Sequence, residues 1–140
     1  MVALMRLSLR TDYAFRVLIH LASNPDFRVT VRDISELHGI SHNHLVKVVH
    51  HLCHFGMVAG TRGRTGGVRL AIPAENINVG DVIRIMETER KFLPNCETRE
   101  DSQCLLADVC RLRHLTGRAV DAFMAVLDRM SIQDLIASTE

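Results

Sequence analysis

The sequence contains no tryptophan, one tyrosine and three prolines in 140 residues. With so few large rings, the core must be built from Val, Leu, Ile, Met and Ala, as in helix-on-helix packing. No apolar run approaches the roughly 20 residues that cross a bilayer, so no membrane partner is expected. Arg6, Ser8 and Arg10 interrupt the first ten residues, which therefore do not read as a secretory leader. There is no C-x₂-C pair, which argues against a zinc finger or ribbon. No nucleophile–base constellation or phosphate-cradling turn before a helix is present, so an enzyme is not expected. Internal repeats and low-complexity tracts are also missing. The chain reads as cytoplasmic, where thiols stay reduced and clustered cysteines more often hold metal than form disulfides.

Nearly half the residues, 47%, are hydrophobic, enough for a packed core. The net charge of +1 hides an asymmetry. Residues 1–72 hold nine Lys/Arg against four Asp/Glu, whereas residues 73–140 hold eight against twelve. Seven of the eight histidines also lie in the front half. A basic front half is the footprint of a phosphate-binding face.

The residue pattern predicts a mainly α fold with a small β-hairpin. A first helix is expected from Thr11 or Asp12 to Ala22, broken by Asn24-Pro25-Asp26. Thr30 reads as the N-cap of a short helix ended by Gly39. Ser41 reads as the cap of the next, with Leu45, Val48, Val49 and Leu52 on its inner face and His42, Asn43, His44, Lys47 and His51 on its outer face. Two helices joined by a Gly-containing turn form a helix-turn-helix. Strands are expected over residues 57–60 and 68–72, joined by Thr61-Arg62-Gly63-Arg64-Thr65-Gly66-Gly67. That loop reads as a basic wing, with Arg62 and Arg64 placed to reach a minor groove. Further helices are expected over residues 79–89 and 111–130, and Ser131 restarts a short terminal one. The long helix carries an apolar stripe of Leu112, Leu115, Ala119, Phe123, Val126, Leu127 and Met130, which suits packing against a second copy in a two-fold dimer. The division expected is a winged helix-turn-helix over residues 1–78, and a cluster loop with dimerisation helices over residues 79–140, in one compact subunit of an intertwined homodimer.

Three cysteines, Cys96, Cys104 and Cys110, fall in a polar stretch with seven and five residues between them. Three thiolates at such loose spacing suit an iron–sulfur cluster, with a fourth ligand from elsewhere. The plain alternative is a set of ordinary reduced thiols. Cys53, on the apolar border of the third helix, reads as a small core residue. His50 and His54 form an i, i+4 pair that could chelate zinc, but donation to DNA phosphates is the simpler role. Asp12 has a local role as a helix-start charge paired with Arg16, and Glu87 and Glu89 read as solvated charges. For DNA, Ser41, His42, Asn43, His44 and Lys47 would meet the major groove or its phosphates, and Arg62 and Arg64 would serve the wing.

Together, residues 9–18 (LRTDYAFRVL), 41–52 (SHNHLVKVVHHL), 62–71 (RGRTGGVRLA) and 77–87 (INVGDVIRIME), the cysteines ending in CRLR, and residues 122–135 (AFMAVLDRMSIQDL) resemble the Rrf-type winged helix-turn-helix regulators of bacteria. Within that family the chain is most similar to the nitric-oxide-sensing, NsrR-like branch. The resemblance implies an iron–sulfur cluster held by Cys96, Cys104, Cys110 and Asp12, with the aspartate supplied by the partner subunit. The IscR-like branch uses a histidine three residues after the third cysteine, where this chain has Arg113. The function implied is a repressor that binds a double-stranded DNA operator and releases it when nitric oxide reaches the cluster. The cluster expected is 4Fe–4S, with 2Fe–2S as the alternative. The rival functions are an iron- or redox-responsive regulator of the same family and a cofactor-free or thiol-redox repressor.

Overall fold

A computed structural model describes residues 6–63, 66–87 and 111–137 of the chain. Six α-helices and one β-hairpin are present among them: α1 (Leu9–Ser23), α2 (Val31–His38), α3 (His42–His54), β1 (Val58–Gly60), β2 (Val68–Leu70), α4 (Val79–Met86), α5 (Arg111–Leu127) and α6 (Ile132–Ile136). The fold is mainly helical with a two-stranded wing, as the residue pattern predicts.

Local chemistry accounts for most boundaries. α1 begins two residues before the expected Thr11, because Ser8 is its N-cap and accepts from the Thr11 N–H. Asp12 therefore sits within the first turn and is not the cap. α2 has the predicted limits: Thr30 and Asp33 form a capping box, and Gly39 ends the helix at φ 63°, a left-handed conformation that glycine adopts without steric cost. α3 follows Ser41, whose side chain makes no capping bond, contrary to the expectation. α4 and α5 each stop three residues short of the predicted ends, at Met86 and Leu127. The strands pair antiparallel, Val58 with Leu70 and Gly60 with Val68, trimming the expected segments to their paired centres.

One core joins all of this. Val17 and Leu18 of α1, Ile34 of α2, and Leu45, Val48 and Leu52 of α3 are buried together with Val58, Ile77, Val82, Met86 and Ile132. The chain's end is clipped to the segment before α4: the Val79 N–H donates to the Met130 carbonyl (2.9 Å) and the Ile132 N–H to the Ile77 carbonyl (2.9 Å). Arg84 of α4 grips Asp128 with two nitrogens, at 2.8 and 2.7 Å. Glycine at position 80 leaves room for this grip, since a Cβ there would collide with Asp128 Oδ1 and displace the carboxylate. The base of α5 is thus fixed on α4. Among the described residues no helix is long and apolar enough to cross a membrane.

Candidate nucleic-acid interface and cluster-ligand positions

The reading surface is built by α3. Burial of Leu45, Val48, Val49 and Leu52 fixes the helix's rotation, which leaves Ser41, His42, Asn43, His44 and Lys47 exposed. These five lie at or near the helix's N-terminal end, where base-edge and phosphate contacts are made in a helix-turn-helix. His51 does not share that face. Its Nε2–H donates to the Ile85 carbonyl (2.8 Å), tying α3 to α4, and its ring meets Phe55 edge-on. Because a carbonyl only accepts, the proton must sit on Nε2. Between α2 and α3, Ser35 Oγ donates to the Ile40 carbonyl (2.6 Å) and locks the turn.

The wing closes on itself through Thr61, whose N–H donates to the Gly67 carbonyl (2.8 Å) and whose Oγ1 accepts from the Gly67 N–H (2.8 Å). Arg62 is exposed on it. Arg64 lies outside the described residues, as do Cys96, Cys104, Cys110 and Glu89.

Asp12 is on the flank of α1, with about half of its side chain exposed. Its Oδ2 accepts from Arg16 Nε at 2.8 Å, one turn further along, as the i, i+4 spacing predicts. Glu87, expected to be solvated, instead holds the start of α1. Its Oε1 accepts from the Ser8 backbone N–H (2.7 Å) and from Thr11 Oγ1 (2.5 Å). Thr11 is fully buried, and its hydroxyl is satisfied by Glu87 and by Ser8 Oγ, 3.1 Å away. Glu87 terminates α4 immediately before residues 88–110, the segment that carries the three cysteines. Replacing Glu87 by alanine removes the acceptor of the Ser8 N–H and leaves the buried Thr11 hydroxyl only Ser8 Oγ, at a cost of about 1–3 kcal/mol. That corresponds to a fall of about 3–8 °C in Tm, measured by thermal melting. Glu87→Gln, which keeps an acceptor oxygen, costs less.

Cys53 is half-buried against the core, and burial pushes its thiol above the ordinary range. It is an unreactive packing residue, in keeping with its place on the apolar border. His50 and His54 are both exposed on α3. Among the described residues no group of three or more His, Cys, Asp or Glu stands close enough to hold a metal ion.

A feature absent from the residue pattern lies one turn beyond Arg16. His20 of α1 meets His38 of α2 edge-on, with ring centroids 5.9 Å apart, and the buried Nε2 of His38 has no hydrogen-bond partner. Burial first, then the positive charges of Arg16 and His20, hold His38 below its ordinary value of 6.5, with Asp12 pulling the other way. The folded protein therefore takes up fewer protons than the unfolded chain as pH falls. Stability is fully present above about pH 6.5 and declines on acidification below it. A pH series of melting temperatures should show a shallower acid slope in His38→Phe than in the wild type.

Residues 7–138 match the Rrf2 family, described as "Iron-dependent Transcriptional regulator". The chain is 42% identical over 138 residues to the HTH-type transcriptional regulator NsrR of Bacillus licheniformis, covering 97% of this chain and 95% of that one. It is 40% identical to the NsrR of Bacillus subtilis, covering 97% and 93%. Among solved structures, oxidised CymR of Staphylococcus aureus superposes with a TM-score of 0.73 at 28% identity, over 97% of this chain and 99% of that one. IscR of T. potens superposes at 0.75 and 25% identity, over 94% and 86%. A helix-turn-helix with a hairpin wing, a family match over nearly its whole length and two relatives of the same length agree: the chain belongs to the Rrf2 family of DNA-binding transcriptional regulators and is not an enzyme.

Proposed function

We propose that the protein is a transcriptional repressor whose operator affinity is set by an iron–sulfur cluster sensitive to nitric oxide. The cluster's ligands are Cys96, Cys104, Cys110 and, from the partner subunit, Asp12. The observation that carries this reading is the placement of Asp12: half-exposed in the first turn of α1, beside the Glu87 contact from which the chain runs into the cysteine segment. The donor set fits the group. Arg16 engages Oδ2, and among the described residues Oδ1 accepts no hydrogen bond, so a carboxylate oxygen faces outward. Cys53, neutral and packed on α3, does not compete for the fourth position.

When bound, the cluster supplies iron that reacts with nitric oxide. The chain's own residues supply the coupling. An aspartate oxygen is a hard donor in an otherwise thiolate set, so Asp12 would hold the cluster more weakly than the three cysteines. Arg16, already bonded to Oδ2, would keep the carboxylate in place with or without the cluster. Because α1 packs directly on α3, a tie from α1 to the partner subunit steadies the reading helix. Loss of that tie would shift the population toward arrangements in which the two heads no longer match the operator. In the major groove Asn43, His42 and His44 read base edges, Ser41 and Lys47 hold phosphates, and Arg62 and Arg64 extend from the wing. The protein acts as a cytoplasmic homodimer, with reading helices one DNA turn, about 34 Å, apart.

The test is anaerobic purification with absorbance, iron and sulfide analysis, followed by nitric oxide titration while DNA binding is monitored. A coloured protein that releases DNA as its cluster absorbance bleaches supports the reading, and the iron-to-sulfide stoichiometry assigns 4Fe–4S or 2Fe–2S. Release on iron depletion but not with nitric oxide points to an iron-responsive regulator. The likeness to oxidised CymR favours one further reading, a cofactor-free thiol regulator. That reading requires a colourless protein that binds DNA regardless of iron and nitric oxide. Asp12→Ala is expected to keep the fold and its melting temperature, yet lose cluster absorbance several-fold faster in air than the wild type. Equal decay rates would remove Asp12 from the ligand set.

A further inference from the structure

The wing contains glycines at 63, 66 and 67, and glycine loses more conformational freedom on ordering than any other residue. Its internal bonds join Thr61 to Gly67 and the Gly66 N–H to the Gly63 carbonyl (2.9 Å), which shape the turn without fixing it to the body. Among the described residues, two hydrogen bonds tie it to the body. At the base, the Val68 N–H donates to the Val29 carbonyl (2.8 Å). Two residues further out, Arg28 Nε–H donates to the Gly66 carbonyl (2.9 Å). The backbones are close there, since a Cβ on Gly67 would lie 2.5 Å from the Val29 carbonyl oxygen and 3.5 Å from Arg28 Cγ. Arg28 belongs to the segment that enters Thr30, the N-cap of α2, so its side chain links the helix-turn-helix directly to the wing's turn.

We infer that Arg28 is a positioning residue for DNA recognition: by holding the Gly66 carbonyl it sets the pose of the wing before DNA arrives. This rests on the reading of the wing as a DNA-contacting element. A bond from a cationic donor is stronger than a neutral one. Ordering a three-glycine turn in the free protein spares that entropy loss at binding.

The test uses the full-length protein purified anaerobically and a duplex that the wild type selects from random-sequence DNA. Hydrogen exchange at the Thr61, Gly66 and Gly67 amides of the free protein is measured alongside affinity for Arg28→Ala, Arg28→Gln and Arg28→Lys. The expected result is exchange about tenfold faster in the wing of Arg28→Ala and affinity about tenfold weaker. The two readouts should move together across the three variants. Weaker binding with an unchanged wing overturns the inference, because Arg28 then acts on DNA directly. A loosened wing with unchanged affinity also overturns it, as does a lysine variant that restores affinity while the wing stays loose. Should alanine loosen the α1–α3 core as well, the lysine variant, which keeps the stem and the charge, decides by the same two readouts. A wild-type protein that selects no duplex overturns the wing reading, and the inference with it. Unchanged wing exchange overturns only the role of Arg28.

Discussion

Cys104→Ala is expected to abolish cluster binding, leaving a chain that purifies anaerobically with iron and sulfide below about a tenth of the wild-type content. In the proposed ligand set Cys104 is the middle thiol of the three, and its loss would leave two thiolates and the Asp12 oxygen, too few soft donors to retain iron and sulfide. No described cysteine can take its place. Cys53 is packed on the core side of α3, and burial pushes its thiol up, which disfavours the thiolate that a ligand must be. The fold should survive, because α1, α2, α3, the hairpin, α4 and α6 share one core that runs from Ala14 to Ile132. The variant should therefore melt as the wild-type apo protein does and show no response of DNA binding to nitric oxide. Wild-type iron and sulfide in the variant would sink the ligand assignment, and would leave the thiol regulator and other ligand sets to be weighed afresh.

The readable parts of this protein are those governed by neighbours in sequence. Thr30 and Gly39 bracket α2 because a capping box and a left-handed glycine are local signals. The four buried positions of α3 follow from helical spacing alone, as does the Asp12–Arg16 pair. What escaped the pattern depends on partners far along the chain. Glu87 lies 79 residues from Ser8 and 76 from Thr11, so nothing in its own segment marks it as bonded to the start of α1. His51 stands at the edge of the polar face by periodicity, and only the approach of the Ile85 carbonyl turns it inward. The role of Gly80 is invisible until Asp128 is brought beside it, and that of Arg28 until the wing folds back on residues 28–29. Ser41 is the opposite case. Its position was legible, but the expected side-chain bond is not made, and its exposed hydroxyl remains on the reading face.

Leu115→Glu is expected to convert the protein to a monomer and to weaken operator binding by about a hundredfold or more. The C-terminal end of α5 is anchored by the Arg84–Asp128 grip and the clip at residues 77–79. Along the rest of its length Leu112, Leu115 and Val126 are 59%, 61% and 65% exposed within the single chain. A contiguous apolar stripe on a helix of 17 residues needs a cover, and a two-fold copy of the same stripe supplies a self-complementary one. A carboxylate in the middle of that stripe must be desolvated on association and would face its like-charged counterpart, which costs more than such an interface returns. Each reading helix alone then binds a single half-site, without the effective concentration that the linked second head provides. Position 115 is remote from the α1–α3 core, so melting temperature and helix content should hold. Asp121→Lys, on the opposite face of α5, should leave both assembly and affinity intact. Light scattering and DNA titration on the two variants decide the matter: a Leu115→Glu protein that stays dimeric and binds as tightly as the wild type would show that the stripe is not the seam between subunits, and the two-headed geometry proposed for operator recognition would need another axis.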